Sequence, residues 1–148
     1  MDNNLDDNQR NLLELLGEIM IPPDEFDEGL RGVGFSGIID VRNMYQPWMA
    51  DLYNVGLRGV EEVSHLLFSK SFIELDDQNR NDVLKAIASP TPPGSMWTEQ
   101  ESASNFIANL HMDACFVYCT SPDVWKQIGF PGASFLKGGY PDFADPQS

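Results

Sequence analysis

The chain has 148 residues, a mass of 16.6 kDa and a formal net charge of −14 at pH 7. This length corresponds to one domain, and since 42% of the residues are hydrophobic, the chain has enough apolar side chains for a folded core. So acidic a surface repels phosphate backbones and anionic lipid head groups, which argues against nucleic acids and membrane surfaces as partners. No stretch is long and apolar enough to predict a direct membrane span.

The first ten residues are acidic and contain neither an apolar run nor a pair of arginines. These residues therefore lack the pattern of a secretory or twin-arginine signal. As it stands, the sequence predicts a cytoplasmic protein. The two cysteines, Cys115 and Cys119, do not form the pattern of a disulfide-rich secreted scaffold.

Apolar side chains recur at spacings of three and four residues through most of the chain, which is the pattern of amphipathic helices. Asp6 or Asp7 can cap the first helix, and the Pro22-Pro23 pair ends it. The pattern predicts helices over residues 7–20, 35–48, 51–68, 76–88 and 98–119, followed by a short last helix over 122–128. No strand is indicated, so the sequence predicts an all-α fold, a small helical bundle of about five or six helices.

Local signals also place two helix boundaries. Ser36 is the predicted N-cap of the second helix, and Pro47 ends that helix or kinks it. Thr98 followed by Glu101 has the spacing of a capping box, which predicts that the fifth helix begins there.

The helices differ in how they are expected to pack. The fifth helix is the most apolar, so we expect it at the centre of the bundle. In the third helix, Gly56 and Gly59 are expected to let another backbone approach closely. Each glycine costs about 1 kcal/mol of helix stability against alanine in a helix interior.

Beyond the last helix, the composition changes to glycine, proline and aromatic residues. Such a segment has no periodic apolar face with which to fold alone. We therefore predict a helical domain over residues 1–129 and an extended C-terminal docking arm over 130–148. Aromatic residues in loops, among them Trp97, either cover the domain's own core or anchor a partner. The predicted partner-binding residues are Trp125, Phe130, Pro131, Phe135, Tyr140 and Phe143.

His111, Cys115 and Cys119 are spaced four and four residues apart, which places an imidazole and two thiols along one stripe of a helix. This spacing invites the interpretation of a metal or cluster carrier. A tetrahedral site needs a fourth ligand, usually from a second element, and the chain has no further cysteine. Cysteines on a central helix are more often small hydrophobic residues of a core, and that interpretation is favoured.

A freestanding small enzyme is the other alternative, and it would use His65 or His111 together with Asp113. The favoured interpretation of His65 is a half-exposed helical histidine beside acidic residues. The sequence contains neither a nucleophile elbow nor a dinucleotide-binding glycine motif after a strand, and its acidic run at residues 24–28 lacks the ligand spacing of a calcium loop.

One segment carries a family likeness. Residues 118–132 read Tyr-Cys-Thr-Ser-Pro-Asp-Val-Trp-Lys-Gln-Ile-Gly-Phe-Pro-Gly, and this segment resembles the C-terminal signature of the gluconate 2-dehydrogenase subunit 3 family. Residues 21–25, Ile-Pro-Pro-Asp-Glu, resemble the end of that family's first helix. Residues 33–40, 53–57 and 72–84 resemble its next helix start, its Tyr-x-x-Gly-Leu stretch and its Phe-x-x-Leu segment. The likeness extends, in the correct order, over about residues 5–132.

The resemblance implies a non-catalytic small subunit. It binds and stabilises a large flavoprotein subunit of the glucose-methanol-choline type, which oxidises sugars or sugar acids, and some complexes add a cytochrome subunit as electron acceptor. It implies no cofactor in this chain, and FAD, with or without an iron-sulfur cluster, in the partner.

The sequence departs from the family pattern in two places. Many members begin with a twin-arginine signal, which is missing here, so a periplasmic location is the alternative if a leader was removed or the partner carries export. The family's Gly-Gly-Asn stretch near the last helix is replaced by Asp123-Val124.

Overall fold

The computed structural model describes residues 5–130. Within them the chain forms α1 (Asp7–Met20), α2 (Ile38–Tyr45), α3 (Pro47–Phe68), α4 (Asp77–Ile87), α5 (Ala103–Thr120) and α6 (Pro122–Ile128), with 3-10 turns at Phe35–Gly37 and Phe72–Glu74 and no strand. The predicted all-α bundle is confirmed. None of the helices in this part of the chain combines the length and the apolar character that crossing a membrane requires.

The central helix is α3, against which α1, α2, α4 and α5 all pack. Ten residues of α3 are buried, whereas only five of α5 are. The prediction that the fifth helix is central was therefore wrong. Its apolar content misled because several of its large apolar side chains, such as Met112 and Phe116, point to solvent instead of the core.

The first helix begins and ends as predicted. Asp6 caps it in a capping box, since its carboxylate accepts the Gln9 N–H at 2.8 Å and its own N–H donates to the Gln9 side chain. The predicted cap at Ser36 was wrong, because this residue lies inside the 3-10 turn and its N–H donates to Glu14 of α1. Pro47 is the first residue of α3, a position where its missing N–H costs nothing.

The fifth helix begins later than the sequence predicts. Thr98 does accept the N–H of Glu101 at 2.9 Å, but this hydrogen bond closes a turn outside any helix. Helix α5 begins at Ala103, with the Ser102 side chain as its cap. Residues 99–101 offer no apolar side chain to bury, whereas Ala103 is buried, so burial determines where the helix begins.

The two glycines of α3 lie against aromatic rings. A Cβ on Gly56 would lie 2.1 Å from the ring of Phe106, and one on Gly59 would lie 2.3 Å from the ring of Trp97. Close approach therefore occurs at both glycines, but the nearest atoms belong to aromatic side chains and not to the backbone that was predicted. Trp97 is partly buried on the core and donates its indole N–H to the Pro93 carbonyl at 2.9 Å, so this loop aromatic covers the domain's own core.

The loop between α1 and α2 is tied to the C-terminal helices. The Tyr118 hydroxyl of α5 donates to the Asp27 carboxylate, and this hydrogen bond is the main cause that raises the pKa of Tyr118 to about 12. The Glu28 N–H donates to the Gln127 side chain of α6 at 3.1 Å. Within the loop, the N–H groups of Phe26 and Asp27 hold the pKa of Asp24 below its usual value. The acidic loop thus has a defined internal structure and two anchors on the other end of the chain.

Candidate functional site

A buried polar network joins three helices. Asp113 of α5 is fully buried, and its carboxylate accepts two hydrogen bonds from the guanidinium group of Arg42 of α2. The Tyr53 hydroxyl of α3 donates to the same carboxylate at 2.7 Å. Burial, and then the neighbouring Asp113 charge, raise the pKa of Tyr53 far above its ordinary value. Tyr53 is therefore a permanent donor, and Arg42 also donates to Gln46 in the break between α2 and α3.

This arrangement gives Asp113 a structural role. The hypothesis of a freestanding enzyme pairs Asp113 with His111, but the Asp113 carboxylate is turned inward to Arg42 and Tyr53 while His111 is exposed. A fully buried carboxylate that is held by a bidentate guanidinium does not reach a substrate. The network instead fixes α2, α3 and α5 relative to one another, because losing any member would leave a buried polar group unpaired.

Several large apolar side chains of α2, of α5 and of the start of α3 lie exposed. Val41 and Tyr45 lie within one turn of Arg42 on α2, and Met112 and Phe116 lie within one turn of Asp113 on α5. The exposed fractions are 44% (Val41), 72% (Met44), 73% (Tyr45), 59% (Trp48), 58% (Met112) and 53% (Phe116).

Helix α5 has no exposed Asp, Glu, Lys or Arg. In the stretch Ala103–Thr120, Asp113 is the only Asp, Glu, Lys or Arg, and it is fully buried. An uncharged outer surface is unusual on a chain with a net charge of −14. Depletion of charge together with enrichment in Tyr, Trp, Phe and Met is typical of the centre of a protein interface. Sequence reasoning missed this uncharged outer surface of α5, although a single aspartate in an otherwise uncharged helix was a usable signal for it.

Of the predicted partner-binding residues, the structure describes Trp125 and Phe130. Trp125 is partly buried and donates its indole N–H to the Cys119 carbonyl at 2.7 Å. Phe130 is 42% exposed and packs edge-to-face on Trp125, with ring centroids 5.4 Å apart. Pro131, Phe135, Tyr140 and Phe143 lie outside the described residues, so the docking arm stays a prediction.

The histidine and the two cysteines of the predicted stripe all lie on α5 and are exposed: His111, Cys115 and Cys119. The interpretation of the cysteines as core residues was therefore wrong, because the buried side of α5 is formed by Phe106, Leu110 and Ala114. Across residues 5–130, no three His, Cys, Asp or Glu side chains come together as a metal site.

His65 lies on α3 and is exposed. Its Nδ1 lies 2.8 Å from the Lys70 carbonyl just beyond the end of α3. The acidic residues beside it have other partners: Glu61 accepts from the Ser71 hydroxyl at 3.0 Å, and Glu62 accepts from the Ser95 hydroxyl at 2.7 Å. Both carboxylates hold the loops that follow α3 and α4.

The sequence model of the family described as gluconate 2-dehydrogenase subunit 3 matches residues 7–132. The chain belongs to this family. No curated protein and no solved structure matches the chain at a significant level. The gluconate 2-dehydrogenase subunit 3 match includes all six described helices and the Trp125–Phe130 pair. The family's description names one subunit of a gluconate 2-dehydrogenase, which is consistent with an accessory role for this chain.

Proposed function

We propose that this chain is a non-catalytic small subunit that binds and stabilises the large flavin-dependent subunit of a sugar or sugar-acid dehydrogenase. The family match over residues 7–132 carries the proposal. In this proposal the large subunit, of the glucose-methanol-choline type, holds FAD, with or without an iron-sulfur cluster, and carries out the oxidation. A cytochrome can serve as the electron acceptor of the complex.

The structure suggests how such a subunit stabilises its partner. A protein that binds the native state of another, and not its unfolded state, raises the free energy of unfolding by about 2.7 kcal/mol when present at about 100 times the dissociation constant. The binder must itself be rigid, since ordering its surface would consume binding energy. The buried network of Arg42, Tyr53 and Asp113 and the core around α3 provide this rigidity.

The test is co-expression of this chain with a candidate large flavoprotein subunit from the same genome. We expect a stoichiometric complex that contains flavin, and a lower melting temperature and yield of the flavoprotein when this chain is left out. If the flavoprotein has the same melting temperature and activity alone, and the two chains do not co-purify, the proposal is wrong.

The C-terminal arm gives a second test of the same proposal. Burying three of its aromatic side chains would contribute roughly 5 to 9 kcal/mol of gross transfer free energy, before the cost of ordering the arm. We expect truncation after Ile128 to keep the helical circular dichroism of the domain and to weaken co-purification strongly. A truncated chain that assembles with unchanged affinity would show that the arm is not the docking element.

The alternative, a freestanding enzyme or metal carrier, is tested on the assembled complex. The variants that replace its exposed candidate groups are His65→Ala, His111→Ala, Cys115→Ser and Cys119→Ser. If the chain is an accessory subunit, turnover per complex stays nearly unchanged. A loss of more than about a hundredfold with intact assembly would establish a catalytic role.

A further inference from the structure

We propose that the acidic loop between α1 and α2, residues 21–34, and the last described helix, α6, together form a latch. The Tyr118–Asp27 and Glu28–Gln127 hydrogen bonds hold this latch closed. The loop and α6 open and close together while the rest of the bundle stays folded. A ligand that binds the closed form of one part therefore also orders the other part, because the two equilibria are linked.

The first argument is that α6 is weakly attached to the bundle. This helix has 7 residues, fewer than an isolated helix needs to be stable in water. Of its side chains that the structure describes, Val124 is the only fully buried apolar one, and it lies outside the hydrophobic cluster around α3. The main packing of α6 is against α5. A short element with few buried apolar contacts opens at a lower cost in free energy than global unfolding.

The second argument is that the joint between α5 and α6 can act as a hinge. Ser121 separates the two helices and has an extended backbone, with φ −73° and ψ 122°. Pro122 follows it and has no N–H with which to continue the hydrogen-bond ladder of α5. Rotation about this joint leaves the backbone hydrogen bonds within each helix intact. One side-chain hydrogen bond crosses the joint, from the Trp125 indole N–H to the Cys119 carbonyl at 2.7 Å, and opening breaks it.

The third argument is that adjacent residues of the loop bond to α5 and to α6. The Asp27 carboxylate accepts from the Tyr118 hydroxyl and also from the Gly29 N–H, at 2.6 Å. Glu28, which lies between Asp27 and Gly29 in the chain, donates its N–H to Gln127 at 3.1 Å. One three-residue segment is thus tied to itself, to α5 and to α6. A displacement of this segment breaks both hydrogen bonds, so the loop and α6 are coupled.

Amide hydrogen exchange of the full-length chain, measured by NMR, tests whether α6 opens separately. We expect the amides of residues 125–128 to exchange at least about 100-fold faster than the buried amides of Val60 and Val63 in α3, after correction for intrinsic rates. Their exchange should also depend less on denaturant, because a local opening exposes less surface than global unfolding. If the amides of α6 and α3 have the same protection and the same denaturant dependence, α6 opens only with the whole domain and the latch is wrong.

A matched pair of variants tests whether the loop and α6 open together. Tyr118→Phe deletes the hydroxyl that binds Asp27, whereas Thr120→Val deletes a hydroxyl in the same turn of α5 that donates to the Phe116 carbonyl of its own helix. Losing a hydrogen bond speeds up only those openings in which that bond breaks. We therefore expect Tyr118→Phe to speed up exchange in α6 at least about threefold, and Thr120→Val to change it by less than about twofold. An increase confined to the loop, or equal effects of the two variants on α6, would overturn the coupling.

The reciprocal variant perturbs the other end of the latch. Gln127→Ala removes the acceptor of the Glu28 N–H, and its control is Gln78→Ala, whose side chain bonds to Asp82 within α4. We expect Gln127→Ala to speed up exchange of the Gly29 amide in the loop by at least about threefold, and Gln78→Ala to leave that rate within about twofold. If Gln127→Ala speeds up exchange in α6 alone, the two parts open independently and the inference is wrong.

Discussion

The ion pair between Arg42 and Asp113 allows a quantitative test, in which Asp113→Asn removes its charge without changing its shape. The substitution leaves the guanidinium group, whose side chain is only 17% exposed, without a counter-charge. Removing one partner of a buried pair costs about 3 to 5 kcal/mol. The remaining exposure of Arg42 lets water relieve part of that penalty, so we expect about 3 kcal/mol. At about 2 to 4 °C per kcal/mol for a domain of this size, the melting temperature should fall by about 6 to 12 °C.

The matched control is Asp123→Asn, which makes the same chemical change at the surface. Asp123 lies 3.9 Å from Lys126, and both side chains are more than 70% exposed. Such a pair contributes at most about 1 kcal/mol, so the melting temperature of this variant should change by no more than about 4 °C. Differential scanning calorimetry of both variants at pH 7 measures the difference. Equal melting temperatures for the two variants would refute the argument that Asp113 anchors α5 to α2.

Two further predictions concern the packing around α3. Gly56→Ala should destabilise the fold by about 1 to 3 kcal/mol in chemical denaturation, because its Cβ would overlap the buried Phe106 ring, whereas Gly37→Ala, with no atom near its Cβ, should not. Hydrogen bonds from Ser95 lower the pKa of Glu62, so its stabilising contribution is present above the unfolded pKa and is lost as the pH falls through the folded one. Glu62→Gln should accordingly be less stable than wild type in urea at pH 7, and the difference should shrink towards pH 3; a constant difference would contradict this.

The sequence predicts those helix boundaries that depend on local chemistry. The bounds of the first helix can be predicted from the cap at Asp6 and the prolines after Ile21, since both act within a few residues of the boundary. The start of α5 does not follow in the same way. The Thr98–Glu101 hydrogen bond forms as the spacing predicts, but whether it opens a helix or closes a turn depends on which residues can be buried, and this is determined by distant parts of the chain.

The candidate functional residues, like the helix boundaries, have some features that local sequence predicts and others that depend on distant parts of the chain. The stripe of His111 and the cysteines lies on one helix as predicted, but its exposure depends on which side of α5 meets α3. The pairing of Arg42 with Asp113 spans 71 residues and has no local signature. A lone aspartate in an uncharged helix indicates a buried charge, and the partner of that charge is visible only in the folded chain.

The hydrogen bonds that anchor the loop between α1 and α2 limit how much the length of this loop can vary. Surface loops ordinarily tolerate insertions and deletions, because few contacts depend on them. Here Asp27 and Glu28 hold Tyr118 and Gln127, so an added or missing residue in the loop would shift the register of both hydrogen bonds. The hydrogen bond from Glu28 thus helps to position α6, the last described helix, from a segment near the N-terminus. Insertions engineered into this loop should therefore shift α6 relative to α1.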